Sequence, residues 1–304
     1  MISRIILIIC IVFLLLGLQI TEAGSNDPKL IVLNSDKSVD KYTIVQNEFN
    51  ESIIYTALEA DVSNDEWEEK KLKLFLSNQS PDLIYTIGTK SFLLANKYAH
   101  NKTVIVFSSV VNWLRFPMTS KMYGISGELH AGMQIFIFRY FFPNIQRIGI
   151  IYSKEYTEEW FNQSKIEAKK LGVELVGQET TKNIGLDNLI GKIDAFWMIS
   201  EPAIMSDKKN IFRILKECDQ NKLPVFTYHE ALAKCGAVLV VAVDDATIGR
   251  QAADIITQIF KGEEVKDKIQ FPAGSYVIFN QKKADEYGLP YVKEALRSAD
   301  IILK

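Results

Sequence analysis

From Leu30 onward the chain alternates short apolar runs with segments of helical period. The runs fall at Leu30–Leu33, Ile53–Leu58, Leu83–Ile87, Val104–Phe107, Met122–Ile125, Arg147–Tyr152, Val173–Val176, Ala195–Ile199, Val225–Thr227 and Val238–Val243. Most are continuous rather than alternating, which predicts strands covered on both faces. Between them, Glu66–Ser77 sets Trp67, Leu72, Leu74, Phe75 and Leu76 among lysines and glutamates. Glu158–Leu171 ends at Gly172, a natural helix stop, and Asp207–Gln220 ends before Pro224. The β-α-β-α order predicts parallel sheets with helices on both faces.

About ten strands in this length suggest two sheets rather than one. The expected fold class is therefore α/β, with two Rossmann-like lobes. Breaks in the pattern lie at Gly124–Gly127, at Asp244–Asp245 and at Phe271–Gly274. Three crossings between two lobes would make a hinge. The expected division is residues 28–126 plus 245–268 in the first lobe, and 127–244 plus 270–304 in the second.

The first 23 residues follow another pattern. Arg4 precedes an apolar run, Ile5–Leu18, and Thr21-Glu22-Ala23 closes the segment with a small residue. That order predicts a signal peptide cleaved after Ala23 and a mature chain in the periplasm. The run is short for a hydrocarbon core of about 30 Å. Cys10 lacks the preceding small residues of a lipoprotein site. Cys218 and Cys235 remain after cleavage, and could pair in an oxidising compartment or stand as separate thiols. They carry no metal signal.

Composition changes little in this picture. Of 304 residues, 48% are hydrophobic and 24% charged, as in a globular protein with a large core. A net charge of −2 argues against nucleic acid as a partner, because phosphate binding needs a basic face.

In open α/β sheets, ligands bind beyond the carboxyl ends of the strands. There, Gly88-Thr89-Lys90-Ser91 opens a helix whose first amides attract an anion, and Thr89 or Ser91 can equally serve only as its cap. Ser108 and Ser109 end the next strand, and Trp113 follows. Ser126 lies at the first break. Glu201 stands where a carboxylate could meet an ammonium group, or be a solvated loop acid. Tyr228 follows Thr227 at a further strand end. Of the adjacent acids at the second break, Asp245 is the better helix N-cap and Asp244 the better candidate for a cleft. Catalytic motifs are missing: no Gly-x-Ser-x-Gly turn occurs, and His100, His130 and His229 have no partners at zinc-ligand spacing.

The run PVFTYHEALAKCGAVLVVAVDDATIGRQAADIITQIFKG resembles the second half of ABC-transporter substrate-binding proteins of the tryptophan-binding type. The matching residues are Pro224–Phe226, Gly236-Ala237, Asp244, Gly249–Ala252 and Lys261-Gly262. Gly124-Ile125-Ser126, Phe142-Pro143-Asn144 and Arg147–Tyr152 extend the resemblance upstream, and Val277–Asn280, Gly288-Leu289 and Ala299–Ile302 extend it to the tail. The resemblance implies a type 1 periplasmic-binding fold that closes on a small polar ligand, an amino acid or related compound. It implies Thr89 and Ser91 at the ligand carboxylate, Ser108 and Ser109 beside them, Glu201 in place of the family's Asp at the amino group, and Asp244 at the hinge. Ser200-Glu201-Pro202 replaces the family's Thr-Asp-Asn, and Asn112-Trp113 its Asp-Pro. The expected protein is a monomeric solute receptor without cofactor or catalytic residues, partnered by an ABC permease in the inner membrane. A ligand-sensing subunit that reports to a membrane sensor kinase is the alternative. An exported hydrolase would need a nucleophile–base pair, which the sequence does not offer.

Overall fold

A computed structural model describes residues 28–63, 69–180 and 184–304. The expected signal peptide lies outside the described residues, as do Glu66–Glu68 at the start of the expected helix. Two sheets carry the fold.

The first sheet has six strands in the order β11-β5-β4-β3-β1-β2. They are β1 (Leu30–Asn34), β2 (Ala57–Asp61), β3 (Leu83–Ile87), β4 (Val104–Val110), β5 (Met122–Ser126) and β11 (Ile269–Gln270). All its pairings are parallel. The inner strands β1 and β3 are buried at every position, because helices cover both faces. On one face lie α1 (Asp40–Ser52) and α9 (Asp245–Phe260). On the other lie α2 (Glu69–Gln79) and α3 (Thr89–Tyr98).

The second sheet has seven strands in the order β13-β12-β10-β9-β8-β6-β7. These are β6 (Arg147–Tyr152), β7 (Glu174–Glu179), β8 (Ala195–Met198), β9 (Val225–Thr227), β10 (Leu239–Val243), β12 (Ser275–Asn280) and β13 (Ile301–Leu303). Only β10 and β12 pair antiparallel. Helices α4 (Ala131–Phe141) and α5 (Glu158–Lys170) cover one face, with α10 (Gln281–Tyr287) beyond them. The short α6 (Pro202–Met205), α7 (Lys208–Gln220) and α8 (Ala231–Lys234) cover the other.

The edge strands account for most differences from the expected elements. β2 reads ALEAD and starts four residues later than expected, since an edge strand need not be apolar on both faces. Ile54, inside the expected run, is 77% exposed. The tail strands β12 and β13, with the short apolar runs Val277–Phe279 and Ile301–Leu303, and the two-residue β11 are additional to the ten expected strands. β11 pairs with β5, so Ile269–Gln270 sit in the first sheet.

The chain passes between the sheets three times: after β5, between β10 and α9, and between β11 and β12. The passages are bonded to one another. The Asp244 amide donates to the Gly274 carbonyl at 3.1 Å, and the Gly124 amide to the Lys268 carbonyl at 2.8 Å. From α9, Gln251 holds the third passage, donating to the Phe271 carbonyl and accepting from the Ala273 amide. Cys218 is buried and Cys235 exposed, and both are free thiols.

Candidate functional site between the lobes

The loop after β4 meets the loop after β8 across a cleft between the lobes, through Asn112 and Ser200. On the first lobe, Ser35 follows β1 and Ser91 lies in the first turn of α3. The Ser91 amide donates to Ser35 Oγ at 3.0 Å, and Ser91 Oγ donates to the Ile87 carbonyl at 2.9 Å. Ser35 Oγ in turn donates to Ser91 Oγ at 3.1 Å, so Ser91 ties the two loops together. Gly88, at φ +87°, makes this possible, since a Cβ there would lie 2.7 Å from Ser35 Oγ. Thr89 begins α3 and is half-buried.

Ser108 and Ser109 point to different surroundings. Ser108 Oγ lies 2.8 Å from the Tyr85 hydroxyl in the core. Ser109 has φ 56°, at a break in the β4–β5 register, and its buried hydroxyl has no partner. Three residues on, Asn112 also has a left-handed backbone, at φ 53°. Asparagine tolerates that conformation better than most residues. Its amide donates to Glu128 Oε2 at 3.1 Å, and its Nδ2 reaches the Ser200 carbonyl of the other lobe at 3.4 Å.

On the second lobe, Glu201 is fully buried. Its Oε2 accepts from the Ser153 amide and hydroxyl, both at 3.0 Å, and from Thr157 Oγ1. Its Oε1 accepts from the Ala203 amide at 3.0 Å and caps α6. These donors all belong to its own lobe, so the carboxylate frames the β6 and β8 loops.

Glu128, just past the first passage, joins the two walls instead. Besides the Asn112 amide, it accepts from Ser200 Oγ. Burial raises its carboxyl above the ordinary range, and the two donors draw it back down. The Tyr228 hydroxyl is pushed up to about 12, first by burial and then by the charge of Glu128.

The two acids of the second passage hold the reverse of their expected capping role. Asp244 has an extended backbone and caps α9, accepting from the Ala246 amide at 3.2 Å and from Thr247 Oγ1. Asp245 is already helical. Its carboxyl is raised to about 6, mainly by burial, with Lys41 opposing the shift. The helix starts one residue earlier than the sequence pattern indicates.

Two cavities meet at Glu128. The larger, about 250 Å³, lies against Asn112, Trp113, Ser126, Glu128, Trp160 and Phe271. The smaller, about 30 Å³, touches Glu128, Gln134, Trp160, Ser200 and Tyr228. Of the eight expected site residues, Ser126 and Tyr228 line these cavities, while Thr89 and Ser91 in α3, Ser108 and Ser109 in β4, Glu201 and Asp244 line neither. Sequence reasoning missed Glu128, and placed Asn112 and Ser200 only as departures from the family's motifs, without a role in the site. The available signal was their position, since Glu128 follows Gly127 at the first break and Ser200 directly precedes Glu201.

Two α/β lobes linked by three passages, with cavities between them, define a two-lobed binding protein of the type 1 periplasmic-binding fold. A family model described as ABC transporter substrate binding protein matches residues 55–302, and the chain belongs to that family. A curated relative, the tyrosine-binding protein of Clostridioides difficile (strain R20291), is 24% identical over 206 residues. That match covers 64% of this chain and 58% of the relative, so the chain spans little more than half the length of that protein. Among solved structures, the ABC domain in complex with L-Trp from Streptococcus pneumonia is similar at a TM-score of 0.61 and 18% identity, covering 90% of this chain and 100% of that one. The ligand-free, open structure of a substrate-binding protein with adhesive properties from Clostridium difficile is similar at a TM-score of 0.70 and 17% identity, covering 91% and 99%. At these identities the structures establish the fold.

Proposed function

We propose that this chain is the exported solute receptor of an ABC importer and captures an amino acid with an aromatic side chain between its lobes. The observation that carries the ligand class is the larger cavity, where Trp113, Trp160 and Phe271 supply apolar walls beside the polar Ser126 and Glu128. Aromatic pairs favour such offset or edge contacts. The names of relatives that bind tyrosine and L-Trp support the same class. Export is supported by the Arg4, Ile5–Leu18 and Ala23 pattern, and the permease partner by the family. Capture follows from closure: a ligand that touches both walls binds the closed form more tightly and shifts the population toward it.

Thermal melting with each common L-amino acid tests this reading. A ligand at a hundred times its Kd stabilises by about 2.7 kcal/mol, which is several degrees in a chain of this size. Tyrosine or tryptophan is expected to give the largest rise. A panel in which no aromatic amino acid raises the melting temperature would overturn the ligand class.

A further inference from the structure

Around Glu128 the site presents acceptors with nothing to accept from. Asn112 and Gln134 are 6% and 4% exposed, and Asn112 Oδ1 and Gln134 Oε1 are buried without a hydrogen-bond partner. Asn112 lines the larger cavity and Gln134 the smaller. Their amide nitrogens are already engaged, Asn112 Nδ2 on the Ser200 carbonyl and Gln134 Nε2 on the Leu129 carbonyl at 3.1 Å. That fixes which end of each amide is left over. Glu128 lines both cavities and adds carboxylate oxygens between the two amides. A buried acceptor left unmade costs about 1–3 kcal/mol, so such a set favours a partner made of donors.

The charge of the walls points the same way. Glu128 and Glu167 line the larger cavity, and no lysine or arginine lines either one. A carboxylate ligand would meet these two acids there, with His130 the one basic side chain among the described residues of either wall. An ammonium group supplies three donors and no acceptor. It is also attracted to the faces of Trp113, Trp160 and Phe271. We propose that the Glu128 pocket selects organic cations, namely amines carried on an aromatic or apolar body, and that it does not require a carboxylate on the ligand. This rests on the reading that the lobes take a small ligand between them, and adds which end of that ligand the pocket chooses.

Calorimetric titration of the full chain with tryptamine, indole-3-propionate and L-tryptophan separates the alternatives. Tryptamine keeps the amine and loses the carboxylate, and indole-3-propionate does the reverse. Tryptamine is expected to bind saturably and indole-3-propionate not to bind. Glu128→Gln is expected to weaken tryptamine at least tenfold. Gln134→Met, which removes an unpartnered acceptor but keeps Glu128, is expected to weaken it by a smaller factor. The unliganded melting curve of each variant reports whether it folds. If Glu128→Gln fails to fold, Gln134→Met decides.

If L-tryptophan binds and tryptamine does not, the inference fails while the solute-receptor reading stands. If tryptamine binds and no amino acid does, the inference stands and the amino-acid reading fails. Binding of indole-3-propionate as tight as that of tryptamine overturns the inference. So does tryptamine affinity that is unchanged in every folded variant.

Discussion

Asp245 shows how one carboxylate can make stability depend on pH. It sits in the first turn of α9, where the helix dipole favours a negative charge, yet burial raises its pKa to about 6 against an ordinary 3.8. Lys41, whose own pKa burial lowers, opposes that shift, while Asp244 and Glu230 add to it. Between pH 4 and 6 the folded chain therefore holds a proton that the unfolded chain has released. Its contribution to stability is fully present below pH 4 and is lost as pH rises through 6. Asp245→Asn removes the charge that burial opposes. The variant is expected to melt higher than the parent at pH 7.5, with the gap closing by pH 4. A gap that stays constant across this range would show that Asp245 titrates as an ordinary surface acid.

The other site residues divide by what satisfies them. Strand-end serines and acids could be picked out in the sequence because their positions follow from the β-α-β pattern. Which of them face the cleft depends on partners far away in the chain. Ser91 is taken by Ser35, Ser108 by Tyr85, and Glu201 by Ser153 and Thr157. No local pattern encodes those pairings. Glu128 was passed over because nothing beside it marks an acid that collects donors from Asn112 and Ser200.

At the scale of elements, buried strands were legible and contacts between helices were not. Arg147–Tyr152 and Val225–Thr227 form strands with the expected limits, because a continuous apolar run leaves little choice of boundary. Helix α1 escaped notice, since its sequence DKYTIVQNEFNES buries only Val45, Gln46 and Phe49. Its place is set by α9, which packs on it through Gly249. A Cβ on Gly249 would lie 2.4 Å from the Val45 carbonyl oxygen and 2.8 Å from the Phe49 amide nitrogen. Both are backbone atoms, so the helices would have to separate. Gly249→Ala is expected to cost about 1–3 kcal/mol in urea denaturation, despite alanine's better helix propensity. An equal or higher midpoint would mean that the two helices move apart freely.

For the whole molecule, two sheets are joined by three passages. The passages are bonded to each other, and the walls meet through Asn112, Glu128 and Ser200. Those bonds are polar, so on the proposed function a small ligand's binding energy would suffice to shift a balance between open and closed forms. The central claim is that an aromatic amino acid closes the lobes by occupying the cleft between them. Small-angle scattering of the full chain, with and without saturating L-tyrosine or L-tryptophan, tests it most directly. A smaller radius of gyration with ligand is predicted, and a profile unchanged by either amino acid would contradict it.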